Sequence, residues 1–323
     1  MGVQRDLVTV LIPTLNEGVT VGSLIMELQE RGYHDILVID GGSSDNTRAV
    51  AEHEGARVVI QSGKGKGNAI IQAFELIEKP YILMVDGDGT YLPADADRML
   101  EPLFAGCDHV IGDRLIEQNR EAFSRLNFLG NQLLNKLFKL AHARYLNDIL
   151  SGYRAFTRDA IDQMQLHEGG FGIETEISAE AVRKNQKIAI VPVSYRKRPG
   201  TPTKLNPFHD GLKITSTIYR LAKMNNPLFY FGIIGIVIMI AGLVTGTYVL
   251  YEWFQHIDHL PLSILTVLLI VVGFQIFMFG VISDMLLAYH REVIREIQIH
   301  AAGGGAARNQ GSDTCSSNHE NKF

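Results

Sequence analysis

Two stretches of this chain, Leu228 to about Leu250 and about Leu262 to Ser283, are uncharged and mostly apolar. Each has the roughly 20 residues that a helix needs to cross a bilayer. Length and lack of charge coincide twice, so the pair reads as two membrane-crossing helices rather than two buried helices of a large soluble core. The connector from Glu252 to Pro261 holds no Lys or Arg, whereas Lys213, Arg220 and Lys223 precede the first stretch and Arg291 and Arg295 follow the second. Basic flanks stay on the cytoplasmic side, so both chain ends, and with them the bulk of an integral cell-membrane protein, are expected in the cytoplasm. The first apolar stretch of the chain is a short strand broken by Pro13 and does not read as a signal peptide.

Residues 1–205 alternate β-rich runs with helical ones. Val8–Ile12, Asp35–Ile39, Arg57–Gln61 and Tyr81–Val85 read as strands, and Val19–Arg31, Asp45–Glu54 and Asn68–Glu78 as helices. This order implies an α/β domain with a mostly parallel sheet, in which ligands collect beyond the C-terminal strand ends. Pro13, Asp40 and Asp86 each fall at such an end. Within this domain, Arg125 to Leu140 carries Leu126, Leu129, Leu133, Leu137 and Leu140 in one stripe, widened by Leu134 and Phe138, with Lys136 and Lys139 beside it. Residues 206–226 repeat the pattern with Phe208, Leu212, Thr215, Tyr219 and Ala222. Both are expected to lie in the headgroup layer, with packing on the sheet as the alternative. The two-helix anchor is expected over 227–290. The remainder, 291–323, turns rich in Gly, Ala, Ser and Asn from Ala301, a composition that builds no core and implies disorder. A net charge of −5 gives no reason to expect nucleic acid as a partner. Cys107 and Cys315 are expected to be reduced thiols with no disulfide.

The apolar run Tyr81–Val85 opens directly into Asp86-Gly87-Asp88-Gly89-Thr90. Two carboxylates at a strand end suit Mg2+ or Mn2+, whose remaining positions go to phosphate oxygens and water. A plain Asp-Gly turn is the simpler alternative. Asn16 and Glu17, in Pro13-Thr14-Leu15-Asn16-Glu17, are placed to cap a helix or to grip a ribose or base. Asp40 is placed to accept a ring N–H from uracil or guanine, and Gly41 and Gly42 let a ligand approach. Ser62-Gly63-Lys64-Gly65-Lys66-Gly67-Asn68 opens a helix with backbone N–H groups suited to a diphosphate, although it is no Walker A loop. Asp148 with Ser151-Gly152-Tyr153-Arg154, Arg114, and the basic run Arg196, Lys197, Arg198 and Lys204 complete the set. Together these cations suit two phosphates, one on a nucleotide and one on a lipid.

In this order these pieces resemble family 2 glycosyltransferases with the GT-A fold, and within them the polyprenyl-phosphate group that includes dolichol-phosphate mannose synthase. Gly200-Thr201-Pro202-Thr203-Lys204-Leu205 and His209-Asp210-Gly211 look most like archaeal members that start protein N-glycosylation. The resemblance implies that Pro13, Asn16 and Glu17 line the nucleotide site with Asp40 on the base. Gly41, Lys66, Asp86 and Gly87 complete that site, and Asp86 and Asp88 carry the metal, Asp88 most directly. Arg114 would face the phosphates near the reacting centre, Arg125 would take the lipid phosphate, Ser151, Gly152 and Arg154 would shape the acceptor side, and Asp88, Arg114, Asp148, Ser151 and Arg154 would form the catalytic set. Arg198 and Lys204 would close over the phosphates. The activity implied is inverting transfer of one sugar from a nucleotide-diphosphate sugar, UDP-linked in preference to GDP-mannose, to dolichyl or polyprenyl phosphate. Such an acceptor is mostly ionised, its second pKa being about 6, and needs no general base. A lipid or polysaccharide hydroxyl acceptor would need one, and Glu174 is the candidate. The Gln-x-x-Arg-Trp motif of processive synthases is absent, Trp253 being the single Trp. Gly232, Gly235, Gly242 and Gly246 offer small-residue faces for a homo-oligomer.

Overall fold

The computed structural model describes residues 3–170, 172–199, 211–212, 214–219 and 226–312. The chain forms two units, Met1–Asn225 and Asn226–Phe323. The first holds one seven-stranded sheet: β1 (Val8–Thr14), β2 (Ile36–Asp40), β3 (Arg57–Ile60), β4 (Tyr81–Met84), β5 (His109–Asp113), β6 (Arg154–Thr157) and β7 (Ile188–Pro192), in the order β3-β2-β1-β4-β6-β5-β7. β6 runs antiparallel to both its neighbours, and every other pair is parallel. This is the α/β architecture that the alternation of runs implies.

β1 extends through Pro13 to Thr14, beyond the expected end at Ile12. The register explains why. The Val10 N–H turns toward β2, donating to Asp35 O, and Val85 N–H donates to Leu11 O from the β4 side. Odd-numbered amides of β1 therefore face β4, which has ended by the Leu11–Met84 pair. Pro13 lacks an N–H where no partner strand remains, so its ring costs the ladder nothing.

Helices cover both faces of the sheet. Val10 and Ile12 point to the side of α1 (Val21–Glu30) and α4 (Ala96–Phe104), packing with Leu24, Ile25, Leu28, Met99 and Leu100. Leu11, one residue out of phase, points to the side of α3 (Lys66–Leu76) and α7 (Ile173–Arg183), with Ile70, Phe74, Ile173 and Ile177. Between them in sequence lie α2 (Thr47–His53), α5 (Arg125–His142) and α6 (Arg158–Asp162).

α5 is started by the Ser124 hydroxyl, which accepts the Asn127 N–H at 3.1 Å. Leu134, Phe138 and Ala141 of α5 are buried on the domain, while Leu126, Leu129, Leu133 and Leu140 stay 60–68% exposed. The stripe is thus split between core and surface. In the 206–226 segment 211–212, 214–219 and Asn226 are described; 211–212 and 214–219 are helical, with Ile214 and Ile218 buried and Leu212 exposed.

His142 closes α5, its ring 4.4 Å from that of Phe138. Burial pulls its pKa down from 6.5 to about 4, against a hydrogen bond with the Ile218 backbone. Burial, reinforced by Arg154, likewise holds His109 well below the usual histidine range. Between pH 6.5 and 4 the unfolded chain binds a proton that the folded His142 refuses, so stability falls as pH falls through this window. The His142 share is about 3 kcal/mol when complete. Thermal melting across this window should show a shallower acid slope for His142→Gln than for the wild type; parallel curves would refute this account.

The second unit is a pair of helices, α8 (Pro227–Phe254) and α9 (Leu260–Ser312). Their apolar spans, Pro227–Phe254 and Leu260–Tyr289, are long enough to cross a membrane, and only 17% of each hydrophobic window is buried. A helix belonging to a soluble core would be mostly covered, so exposure favours the membrane. The glycines expected to serve an oligomer are used inside the hairpin. A Cβ on Gly235 would meet Gly273 O at 2.6 Å, one on Gly242 the Ile270 side chain at 2.8 Å, and one on Gly246 the Thr266 methyl at 3.0 Å. Gly232 lies beside Phe277 more loosely, a Cβ there meeting its ring at 3.9 Å. Small residues let two helices pack closely in lipid, and here both helices belong to one chain. α9 continues to Ser312, so residues 301–312 are helical where composition implies disorder. Ala301, Ala302, Ala306 and Ala307 favour extension of a helix already nucleated, against the cost of Gly303-Gly304-Gly305 between them.

Candidate active site

β1, β2 and β4 end side by side, so the turns after Thr14, Asp40 and Met84 share one edge of the sheet. β6 runs the other way, which delivers the segment 148–153 to that edge just before Arg154. One antiparallel strand therefore brings the fourth sequence cluster to the first three.

Lys66 starts α3, and its Nζ lies 2.6 Å from Asp86 Oδ1 and 2.6 Å from Glu174 Oε1. Burial opposes the ammonium charge, but the two carboxylates outweigh it and raise its pKa above the ordinary lysine value. Asp88 Oδ1 accepts the Thr90 hydroxyl at 2.6 Å and the Thr90 N–H at 3.1 Å, and its Oδ2 is 3.8 Å from Arg198 Nη1. Burial raises the Asp88 pKa, Asp86 raises it further, and Thr90 and Arg198 pull the other way. A Cβ on Gly152 would fall on the Asp86 carboxylate, so that position takes only glycine.

This donor set fits a divalent cation. Two neighbouring carboxylates disfavour each other's charge, and a doubly charged ion reverses that. Among the described residues no group of three metal-ligating side chains occurs. Asp86 and Asp88 would therefore be the protein's share, with phosphate oxygens and water completing the shell, as Mg2+ and Mn2+ usually require.

Asn16, at φ 54°, staples two turns together. Its side-chain oxygen accepts the Ser44 N–H at 2.8 Å, and its own N–H donates to Ser43 Oγ at 2.8 Å. It caps no helix. Asp40 is fully buried: Oδ2 accepts the N–H groups of Gly42 and Ser43 at 3.1 and 2.9 Å, and Oδ1 the Ser43 hydroxyl at 2.5 Å. Both oxygens shape the loop. Gly41 N–H donates to Thr14 O at 2.8 Å, closing β1 onto β2. Gly87 is packed on Thr14, where a Cβ would come within 2.7 Å of the Thr14 methyl. Pro13 lies beneath it, its carbonyl 3.6 Å from that same point.

Arg114 and Asp148 form a buried bidentate pair, with Nε to Oδ2 at 2.6 Å and Nη2 to Oδ1 at 2.8 Å. The Arg114 guanidinium also lies 5.3 Å from the Tyr195 ring centroid and 5.9 Å from that of Phe123. Arg154 is fully buried and faces away from the cleft. It donates to the carbonyls of Ser151 at 2.8 Å and Ile149 at 2.7 Å, and to Ser178 Oγ at 3.0 Å. Burial pulls its pKa down to about 10, with Glu174 and Asp148 opposing. It therefore positions the 149–151 turn instead of touching a substrate, which corrects its placement among the catalytic groups. Ser151 is buried beside it, 3.4 Å from the Tyr91 hydroxyl, and is likewise structural.

The basic run is held against the 86–90 loop. Tyr195 bridges Tyr91, Arg196 N–H donates to Thr90 O at 2.9 Å, and Arg196 Nε donates to Gly89 O at 2.6 Å. Arg198 pairs with Glu17. Beside this run opens a cavity of about 430 Å3. Asp88, Arg114 and Arg196–Arg198 line one part, and Phe123, Leu126, Leu134, Leu150 and Ile214 supply apolar walls. Arg125 is exposed and takes no part in the lining. At 3.6 residues per turn, the helix face bearing Leu126, Asn127, Asn131 and Leu134 is the one opposite Arg125. Lys204 lies outside the described residues. Phe123, Asn127, Asn131 and Leu150 were not legible beforehand, because only the folded chain gathers them beside Asp88 and Arg196–Arg198. The Lys66–Glu174 pair was hidden likewise, since Lys66 of α3 and Glu174 of α7 meet only in the fold.

A mostly parallel sheet of this order, with paired carboxylates after β4 and a cationic cleft, defines a GT-A-type glycosyltransferase domain. The chain belongs to glycosyl transferase family 2, whose profile it matches over residues 9–164. It is 47% identical to Glycosyltransferase AglJ of Haloferax volcanii over 91% of this chain and 98% of that one. It is 31% identical to a dolichyl-phosphate hexose transferase of the same organism, over 67% of this chain and 94% of that one. The fold matches glucosyl-3-phosphoglycerate synthase from Mycobacterium tuberculosis, solved with Mn2+ and uridine-diphosphate-glucose, at TM-score 0.52 and 23% identity. That match covers 65% of this chain and 75% of the other. The protein is a glycosyltransferase.

Proposed function

We propose that the protein transfers one sugar, with inversion, from a UDP-sugar to dolichyl or polyprenyl phosphate at the cytoplasmic membrane face. The product would supply lipid-linked sugar for protein glycosylation. The observation that carries this reading is the cavity, which joins Asp88, Arg114 and Arg196–Arg198 to the apolar walls Leu126, Leu134, Leu150 and Ile214. A phosphate with an apolar chain matches cations on one side and hydrocarbon on the other. The exposed leucines of α5 and the two apolar helices support a membrane-borne acceptor. The dolichyl-phosphate hexose transferase relative supports the same acceptor class.

Asp86 and Asp88 would hold the metal, which when bound acts as a Lewis acid on the leaving diphosphate. Arg198, tethered by Glu17, would bring positive charge over the phosphates. Arg114, locked by Asp148, would orient the acceptor phosphate, whose ionised oxygen attacks the anomeric carbon directly. No general base is required, which suits Glu174: it is buried and bonded to Lys66.

Transfer from radiolabelled UDP- and GDP-sugars to dolichyl phosphate, in membranes with Mn2+, tests the proposal. One UDP-sugar is expected to give an acid-labile phosphate lipid. Label in a neutral lipid or polymer, with none in the phosphate lipid, would overturn it in favour of a hydroxyl acceptor.

A further inference from the structure

Gly130 sits in the second turn of α5, an 18-residue helix, where glycine costs about 1 kcal/mol relative to alanine. Three other uses of glycine are visible in this chain. Gly67 meets a backbone so closely that a Cβ would fall on Glu168 O, Gly152 abuts the Asp86 carboxylate, and Gly42 has φ 87°. None applies to Gly130. A Cβ placed there meets nothing within 4 Å, and its φ is not positive. Gly130 faces the cavity instead, one turn from Leu126 and one turn from Leu134. Its neighbour Asn131 folds back along the helix, donating to Asn127 O at 2.9 Å, so it fills little of that space.

Resting on the acceptor reading above, we propose that Gly130 is an acceptor-binding position. Its missing side chain leaves the width through which the hydrocarbon next to the acceptor phosphate passes. The cavity is cationic near Asp88 and apolar along α5, so this chain segment has to run across the helix face at Gly130. Phe123 and Leu150 would wall it on the remaining sides. A side chain at 130 would project into the same space and exclude the lipid without touching the donor site.

The test is a volume series, Gly130→Ala, Gly130→Leu and Gly130→Phe, in the full-length membrane-bound enzyme. Two acceptors are compared, dolichyl phosphate and the two-isoprene citronellyl phosphate. The KM for both is expected to climb with side-chain volume, reaching about tenfold for Gly130→Phe, which corresponds to about 1.4 kcal/mol. UDP binding with Mn2+, read by calorimetry, should stay at the wild-type value. Gly130→Ala should melt higher than wild type, since it removes a helix-interior glycine. Should Gly130→Phe not fold, Gly130→Ala and Gly130→Leu still give the gradient. Unchanged acceptor KM in variants that bind UDP overturns this inference alone. A wild type that labels no phosphate lipid overturns the acceptor reading and this inference together.

Discussion

Replacing Asp88 with alanine is expected to lower transfer about a thousandfold or more while leaving the protein folded. Lewis-acid stabilisation of a leaving diphosphate is worth several kcal/mol, and each 1.36 kcal/mol is a factor of ten in rate. The fold should survive because, among the described residues, Asp88 receives two hydrogen bonds, both from Thr90. Burial and the neighbouring Asp86 already disfavour the Asp88 charge, so its removal relieves repulsion as it deletes those bonds. The metal-free variant should melt at or above the wild-type temperature, and the rise in melting temperature on adding Mn2+ should be lost. Full activity in this variant would sink the metal assignment.

Lys66 sharpens why Asp88, and not Asp86, is the carboxylate to change. Asp86 has its charge neutralised by Lys66, which Glu174 holds from the far side. Among the described residues, the cation nearest Asp88 is the Arg198 guanidinium, at 3.8 Å. A cation entering the cleft gains most from the carboxylate with the weakest existing partner. Lys66 is itself fixed by its loop, since Gly67 N–H donates to Gly169 O at 3.1 Å, and Glu176 in turn accepts the N–H groups of His167 and Glu168. The glycine-rich loop thus shapes the Asp86 side of the cleft through one lysine.

What was legible in the sequence was whatever a strand end dictates. Asp40, Asp86 and the Pro13 turn could be placed on one edge because parallel strands align their C-termini. The role of Arg154 was not legible. Its position after Ser151-Gly152-Tyr153 suggests a site residue, but β6 enters the sheet at Arg154 and turns the side chain inward beneath the loop. Arg125 illustrates a second limit. A helix start with a cation reads as a phosphate site, yet one residue is a 100° turn, and the cavity is served by Leu126 and Asn127. The small-residue faces of the anchor were legible as packing surfaces, but the partner was not, since nothing in a glycine spacing tells an intrachain helix from a second copy.

The buried pair Arg114–Asp148 supports the other large prediction. Asp148 has no exposed surface and takes three hydrogen bonds from Arg114, through Nε, Nη2 and the backbone N–H. Arg114→Met strands that carboxylate, at a cost of about 3–5 kcal/mol, a large part of a domain's typical stability of about 5–15 kcal/mol. Adding Asp148→Leu removes the stranded charge, so the double variant should recover most of the lost stability, read as the midpoint of urea unfolding. Its transfer rate separates the two roles of Arg114. If the guanidinium orients the acceptor phosphate, the refolded double variant stays at least about a hundredfold below wild type, the scale on which one preorganised donor acts. If Arg114 is a structural strut alone, stability and transfer return together, and the phosphate must be held by Arg196, Lys197 and Arg198, the remaining cations of the cavity.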